Sequence, residues 1–170
     1  GLLDPVVPAS PSKLGGYKVA IFGHRPPDLG GYDPANPVAK TVTNTMTDVL
    51  AGWAAINDDL VVLTGLGLGA EQLGAEAASA AGLGYVAVLA HPDPDRVWPT
   101  ASRSRYAELV RGASSVITLD PTSPATRQEA GKAAGRRDAW LTGMADAAVV
   151  VWNGADRALR DTVAALERRE

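Results

Sequence analysis

An α/β fold, with a parallel sheet covered by helices on both faces, is predicted by three features of this chain. Five short apolar runs stand out: Tyr17–Phe22, Leu60–Thr64, Tyr85–Ala90, Ser115–Leu119 and Ala147–Trp152. Each is continuous instead of alternating, as strands buried on both faces are. Segments with helical spacing separate them, so strand and helix alternate along the chain, which is the pattern of parallel strands joined by crossovers. The expected architecture is one doubly wound, Rossmann-like domain on a five-stranded parallel sheet.

The elements follow in order. Residues 1–16 hold Pro5, Pro8, Pro11 and the Gly15-Gly16 pair, and read as an irregular arm before a domain spanning 17–170. Over 37–57, Val38, Val42, Met46, Val49, Leu50 and Trp53 recur near helical spacing, with Asn36 and Pro37 as N-cap and first-turn residues. An Ala-rich helix is predicted from Ala70 to Ala81, and another from Ala101 to Gly112. The segment from Ser123 to Thr142 reads as a helix loosened near Gly131 and Gly135. A closing helix is expected from Ala155 to Glu170.

Bulk properties narrow the function classes. At 170 residues the chain suits one core, and 46% hydrophobic with 21% charged residues is ordinary for a soluble domain. A net charge of -3 argues against a nucleic-acid partner, which needs a basic face. The absence of cysteine excludes a disulfide framework, a thiolate nucleophile and a Cys-based zinc site, and fits a cytoplasmic setting. No apolar run approaches the length of a membrane span, so no membrane partner is expected.

Chemistry is expected where strands end, because ligands of open α/β sheets bind outside the carboxyl ends of strands. Gly23-His24-Arg25 ends the first strand and Gly65-Leu66-Gly67-Leu68-Gly69 the second. Glycine lets backbone approach a ligand, and a helix N-terminus offers free N–H groups to phosphate, yet tight helix–sheet packing selects glycine equally well. His24 reads as a ligand contact or a loop cap. Arg25 reads as a phosphate clamp or a tie to Glu71, and Gln72 as a reader of base or ribose or a helix cap. Trp98 reads best as a core-edge aromatic. His91, Asp93 and Asp95, interleaved with prolines, read as a rigid turn, and no metal is assigned. A P-loop with its lysine is absent.

These loops carry a resemblance. Ile21-Phe22-Gly23-His24-Arg25-Pro26 with Leu29-Gly30-Gly31-Tyr32 resembles the opening motif of the SLOG superfamily, in its YpsA-like branch. Thr64 to Gln72 with Ala75-Glu76, Trp98-Pro99, Arg136-Arg137-Asp138 with Trp140, and Val150-Val151-Trp152-Asn153-Gly154 match further family motifs in order, over nearly the whole chain. The resemblance implies a Rossmann-like fold related to the DprA and LOG proteins. It implies a pocket for a nucleotide or a nucleotide-derived molecule, ADP-ribose- or NAD-like, in a sensor, carrier or sequestering protein. Gly23, His24, Arg25, Gly65, Gly67, Gly69, Glu71, Gln72, Arg137, Asn153 and Gly154 are the ligand-binding residues so expected, in a chain that can form a homodimer. No catalytic residue and no cofactor are assigned.

The alternative is a phosphoribohydrolase-like cleavage of nucleotide N-glycosidic bonds. The Pro-Gly-Gly-x-Gly-Thr-x-x-Glu motif that supports this reaction in the LOG enzymes is missing here. Where relatives of the branch place Gly-Gly-Thr after the last strand, this chain has Ala155 to Thr162, in which Arg157 and Arg160 are the cations that can stand in. Glu71 also replaces the family's usual Asp, and Leu73 its Trp.

Overall fold

The computed structural model describes residues 14–168. The elements are β1 (Tyr17–Gly23), α1 (Pro37–Ile56), β2 (Leu60–Thr64), α2 (Ala70–Ala80), β3 (Tyr85–Leu89), α3 (Thr100–Gly112), β4 (Ser115–Thr118), α4 (Arg127–Met144), β5 (Ala147–Val151) and α5 (Arg157–Glu167). All four strand pairings are parallel, in the order β4-β3-β2-β1-β5. The fold is therefore the expected α/β one. Of the arm expected over 1–16, residues 1–13 lie outside the described residues, as do 169 and 170 of the closing helix.

Strand side chains alternate between two cores. Val19, Ile21, Val62, Ala87 and Leu89 face α1, α2 and α3, whose Met46, Leu50, Leu73 and Tyr106 complete one cluster. Ala20, Phe22, Leu63, Val86 and Val88 face the opposite way, where Leu141 and Met144 of α4 and Leu159 and Leu166 of α5 join them. Burial on both sides is why the strands read as unbroken apolar runs. Trp98 packs edge-on against Tyr106, with ring centroids 5.3 Å apart, at the rim of the first core.

Local signals account for the helix ends. Asn36 caps α1 by accepting the Ala39 N–H at 2.9 Å, while its amide donates to the carbonyls of Leu29 and Asp33 and so also shapes the loop before the helix. Thr126 and Glu129 form a reciprocal cap on α4: Thr126 Oγ1 accepts the Glu129 N–H, and Glu129 Oε2 accepts the Ala125 N–H. Against expectation, α4 runs unbroken through Gly131 and Gly135. A helical glycine weakens a helix by only ~1 kcal/mol relative to alanine, and the burial of Ala133, Leu141 and Met144 outweighs it.

The chain advances from β1 through β4 toward one edge, then α4 returns it across the sheet to β5, beside β1. That reversal puts the topological switch point between β1 and β5, with Gly23 in register with Val151.

Candidate functional site at the switch point

Three loops meet at the carboxyl end of the sheet, and glycine is what lets them close. A Cβ on Gly23 would stand 2.5 Å from Ala70 Cβ and 2.7 Å from Val151 Cβ. Gly69, at φ +97°, has no room either: its Cβ would fall 2.4 Å from the His24 carbonyl oxygen. That carbonyl accepts the Ala70 N–H at 3.0 Å, so the β1 loop already occupies the first amide of α2.

His24 lies buried in this junction. Its backbone N–H donates to the Val151 carbonyl, and its Nε2 accepts the Asn153 N–H, both at 2.9 Å. With Nε2 an acceptor, the ring proton belongs on Nδ1, which faces Asp28 Oδ2 at 3.7 Å and has no hydrogen-bond partner among the described residues. The imidazole thus braces the β1 loop against the β5 loop. Asn153 folds back to accept the Ala155 N–H, and Gly154, at φ +88°, turns the chain toward α5. Arg160 donates to the Gly154 carbonyl at 3.2 Å, which commits that cation to its own loop.

The β2 loop is held from within. Thr64 Oγ1 donates to the Glu71 carbonyl and accepts the Leu66 N–H, while Gln72 Nε2 donates to the Leu66 carbonyl at 3.1 Å. Gln72 is 1% exposed, so its amide shapes the loop and does not face the crevice. Arg137 of α4 reaches over Gly65, where a Cβ would meet its guanidinium carbon at 2.6 Å. It pairs with Glu71 Oε1 at 3.2 Å and Asp138 Oδ1 at 3.0 Å. Glu71 also accepts the Gly67 N–H at 3.3 Å, and a Cβ on Gly67 would press on that carboxylate. Because α2 and α4 cover opposite faces of the sheet, the Arg137–Glu71 pair clasps the two layers over its edge.

Burial pushes the Glu71 carboxyl above the usual carboxylate range, against the opposing pull of Arg137. For Arg137, burial is the largest single influence and favours the neutral form. Glu71 and Asp138 together reverse it, so the guanidinium's pKa is raised.

Between the β1 loop, α4 and the start of α5 lies a crevice of about 330 Å³. Gly23, His24, Arg25, Glu71 and Arg137 line it together with Asp28, Asp138 and Asp156. Arg25 is exposed, and while its carbonyl accepts the Asp28 N–H at 3.0 Å, its guanidinium makes no hydrogen bond or ion pair among the described residues. Of the residues expected at the site, Gly65, Gly67, Gly69, Gln72, Asn153 and Gly154 build the loops around the crevice instead of lining it. The three aspartates were not among those expected. Asp138 stands inside a quoted motif and Asp28 in the gap between two, but a carboxylate near an arginine reads as its partner until the fold shows where it faces. Asp156 also caps α5 by accepting the Leu159 N–H. A second cavity, of about 380 Å³, lies across the β1 loop, and two of the expected residues, Gly69 and Gln72, stand on its wall with Tyr32, Leu68, Pro99 and Arg105.

A crevice with an exposed guanidinium, unpaired among the described residues, beside several carboxylates suits a ligand that has an anionic group and several hydroxyl or amine donors. Among the described residues no group of three or more His, Asp or Glu side chains is arranged to hold a metal, and no helix is long and apolar enough to cross a membrane.

No family model and no curated protein matches the chain. Among solved structures it is similar to DNA processing protein A (DprA) from Streptococcus pneumoniae, at 18% identity and a TM-score of 0.59, covering 91% of this chain and 48% of that one. It is also similar to DprA from Helicobacter pylori, at 17% identity and a TM-score of 0.56, covering 90% of this chain and 61% of that one. This chain therefore spans about half to three fifths of the length of these two proteins. The H. pylori structure is described as showing a unique single-stranded DNA binding mode. That overturns the expectation drawn from net charge: affinity for phosphates follows the local field of a groove, and a total of -3 does not exclude a nucleic-acid partner for this fold. The likeness is one of fold. The chain has the Rossmann-like α/β fold found in DprA, and the comparisons do not bear on the resemblance to the YpsA-like branch.

Proposed function

We propose that this chain binds a nucleotide unit in the β1/β5 crevice, with Arg25 on the phosphate and Asp28 and Asp138 on ribose hydroxyls or base amines. One observation carries the reading: an exposed arginine, its guanidinium without a partner among the described residues, on the wall of a carboxylate-lined crevice at the switch point. The reading is binding and not cleavage, since Glu71, the buried carboxyl there, is engaged by Arg137 and the Gly67 N–H.

Calorimetric titration with a short thymidine oligonucleotide and with AMP, ADP-ribose and NAD tests it. Arg25→Ala is expected to weaken binding by about 10–100-fold, the worth of a charge-assisted contact of ~1.5–3 kcal/mol, without lowering Tm. If none of these ligands binds the wild-type chain, the proposal fails. Affinity that grows with oligonucleotide length identifies a single strand as the ligand, which the description of the H. pylori structure supports. Full affinity for ADP-ribose or NAD alone identifies the free small molecule that the motifs imply.

A further inference from the structure

Away from the switch point, a further crevice of about 260 Å³ lies between the loops that follow β3 and β4, at the N-terminus of α4. The Leu119 and Asp120 N–H groups donate to the Leu89 and Ala90 carbonyls, so the strand pairing carries both loops out of the sheet side by side. Ser123 Oγ then donates to Asp93 Oδ1 and ties one loop to the other. His91, Asp93, Arg96, Ser123, Thr126 and Arg127 form the polar part of the wall.

Three kinds of donor converge on this space. At the start of α4, Thr126 takes the Glu129 N–H with its hydroxyl and the Ala130 N–H with its carbonyl, whereas the N–H groups of Arg127 and Gln128 have no partner among the described residues. Free amides at a helix N-terminus favour an anion. The Glu129 carboxylate is turned back to the Ala125 N–H and is not part of the wall. Arg96 and Arg127 are both exposed; the Arg127 guanidinium makes no hydrogen bond or ion pair among the described residues, and Arg96 reaches Asp93 only at 4.0 Å. The third donor is His91, a lining residue only 8% exposed. Its Nδ1 is buried without a hydrogen-bond partner among the described residues and faces Asp93 Oδ1 at 3.5 Å. The carboxylate thus orients the ring, and Nε2 remains as the nitrogen a ligand can use.

The charge balance sets this crevice apart from the one between β1 and β5. There Arg25 and Arg137 stand among Asp28, Glu71, Asp138 and Asp156. Here two guanidinium groups face one carboxylate, Asp93, which Ser123 already engages. In a chain of net charge -3, the local field runs against the total.

We propose that this crevice binds a phosphate group, as the free ion or on a small ester. Guanidinium forks, two backbone amides and an imidazole match the several acceptor oxygens of phosphate. The volume falls just short of the ~300 Å³ at which pockets for drug-sized ligands begin, so it suits a phosphate with a short organic stem. Pro94, Val97, Pro124 and Ala130 supply the apolar side against which such a stem packs.

Amide NMR of the whole chain, titrated with inorganic phosphate and with glycerol 3-phosphate, tests this. The Arg127 and Gln128 amide resonances are expected to shift and saturate. Read from those two resonances, Arg96→Ala and Arg127→Ala are each expected to weaken binding about tenfold or more, without lowering Tm, since both side chains are exposed. Arg25→Ala is expected to leave the same titration unchanged, because that residue belongs to the other crevice. Tighter binding of glycerol 3-phosphate identifies a small ester as the ligand, and equal or tighter binding of inorganic phosphate identifies the free ion. Resonances of Arg127 and Gln128 that do not move with either probe up to about 10 mM overturn the proposal. So does a titration that is unaffected when Arg96→Ala and Arg127→Ala are combined, or one that is lost in Arg25→Ala.

Discussion

His24 Nε2 accepts the backbone N–H of Asn153 at 2.9 Å, so the imidazole that follows β1 fixes the loop that follows β5. The two residues stand 129 positions apart and meet only because the strand order reverses beside β1. His24→Ala removes a buried ring and this bond together. It is expected to destabilise the fold by about 2 kcal/mol, a fall in Tm of about 4–8 °C for a domain of this size, measured by thermal melting. An unchanged Tm contradicts the bracing role.

Arg137→Met tests the clasp between the two helical layers. The pair is 13% and 16% exposed, so removing the cation leaves Glu71 with the Gly67 N–H as its nearest support. A loss of about 3 kcal/mol is expected, read from urea unfolding. A loss below about 1 kcal/mol places the pair among solvent-screened surface contacts.

Glu71 gives a pH dependence with a definite sign. Its folded-state pKa is raised above the unfolded value of about 4.5. At pH values below the unfolded pKa the carboxyl is protonated in both states and contributes nothing. As pH rises past the unfolded pKa and through the raised folded one, the buried carboxylate subtracts stability. The Tm of Glu71→Gln relative to wild type is therefore expected to move in the variant's favour as pH rises above about 4.5. A pH-independent difference, or one that moves the other way, rejects this.

Glycines of two kinds are expected to respond oppositely to alanine. At Gly69, left-handed backbone and a Cβ 2.4 Å from the His24 oxygen predict a loss of about 2–4 kcal/mol for Gly69→Ala. At Gly135, exposed on α4 with nothing within 4 Å, alanine is expected to add about 0.5–1 kcal/mol. Chemical denaturation of both variants separates a glycine required by close approach from one that is not.

Much of this architecture was legible in the chain. The five apolar runs mark the strands, Asn36-Pro37 marks the start of α1, and Gly23 and Gly65–Gly69 mark the loops at the site. The signal misled at α4, where glycine propensity predicted a loosened helix and burial of Ala133, Leu141 and Met144 keeps it continuous. It was silent on orientation. Nothing local distinguishes the amide of Gln72, turned inward to Leu66, from the guanidinium of Arg25, turned to solvent.

What the sequence by itself determined is the fold class, the succession of elements and the loops where chemistry collects, because periodicity and punctuation are local and survive in one dimension. What only the tertiary structure decided is which loops face one another. Continuous apolar strands are nearly interchangeable as neighbours, so their order across the sheet has no signature within any one of them. Placing β5 beside β1 sets Asn153 on His24, and sending α4 across the opposite face brings Arg137 to Glu71, 66 residues away. Those long-range pairings commit Arg137 and His24 to the scaffold and leave the Arg25 guanidinium, among the described residues, without an ion-pair partner at the crevice.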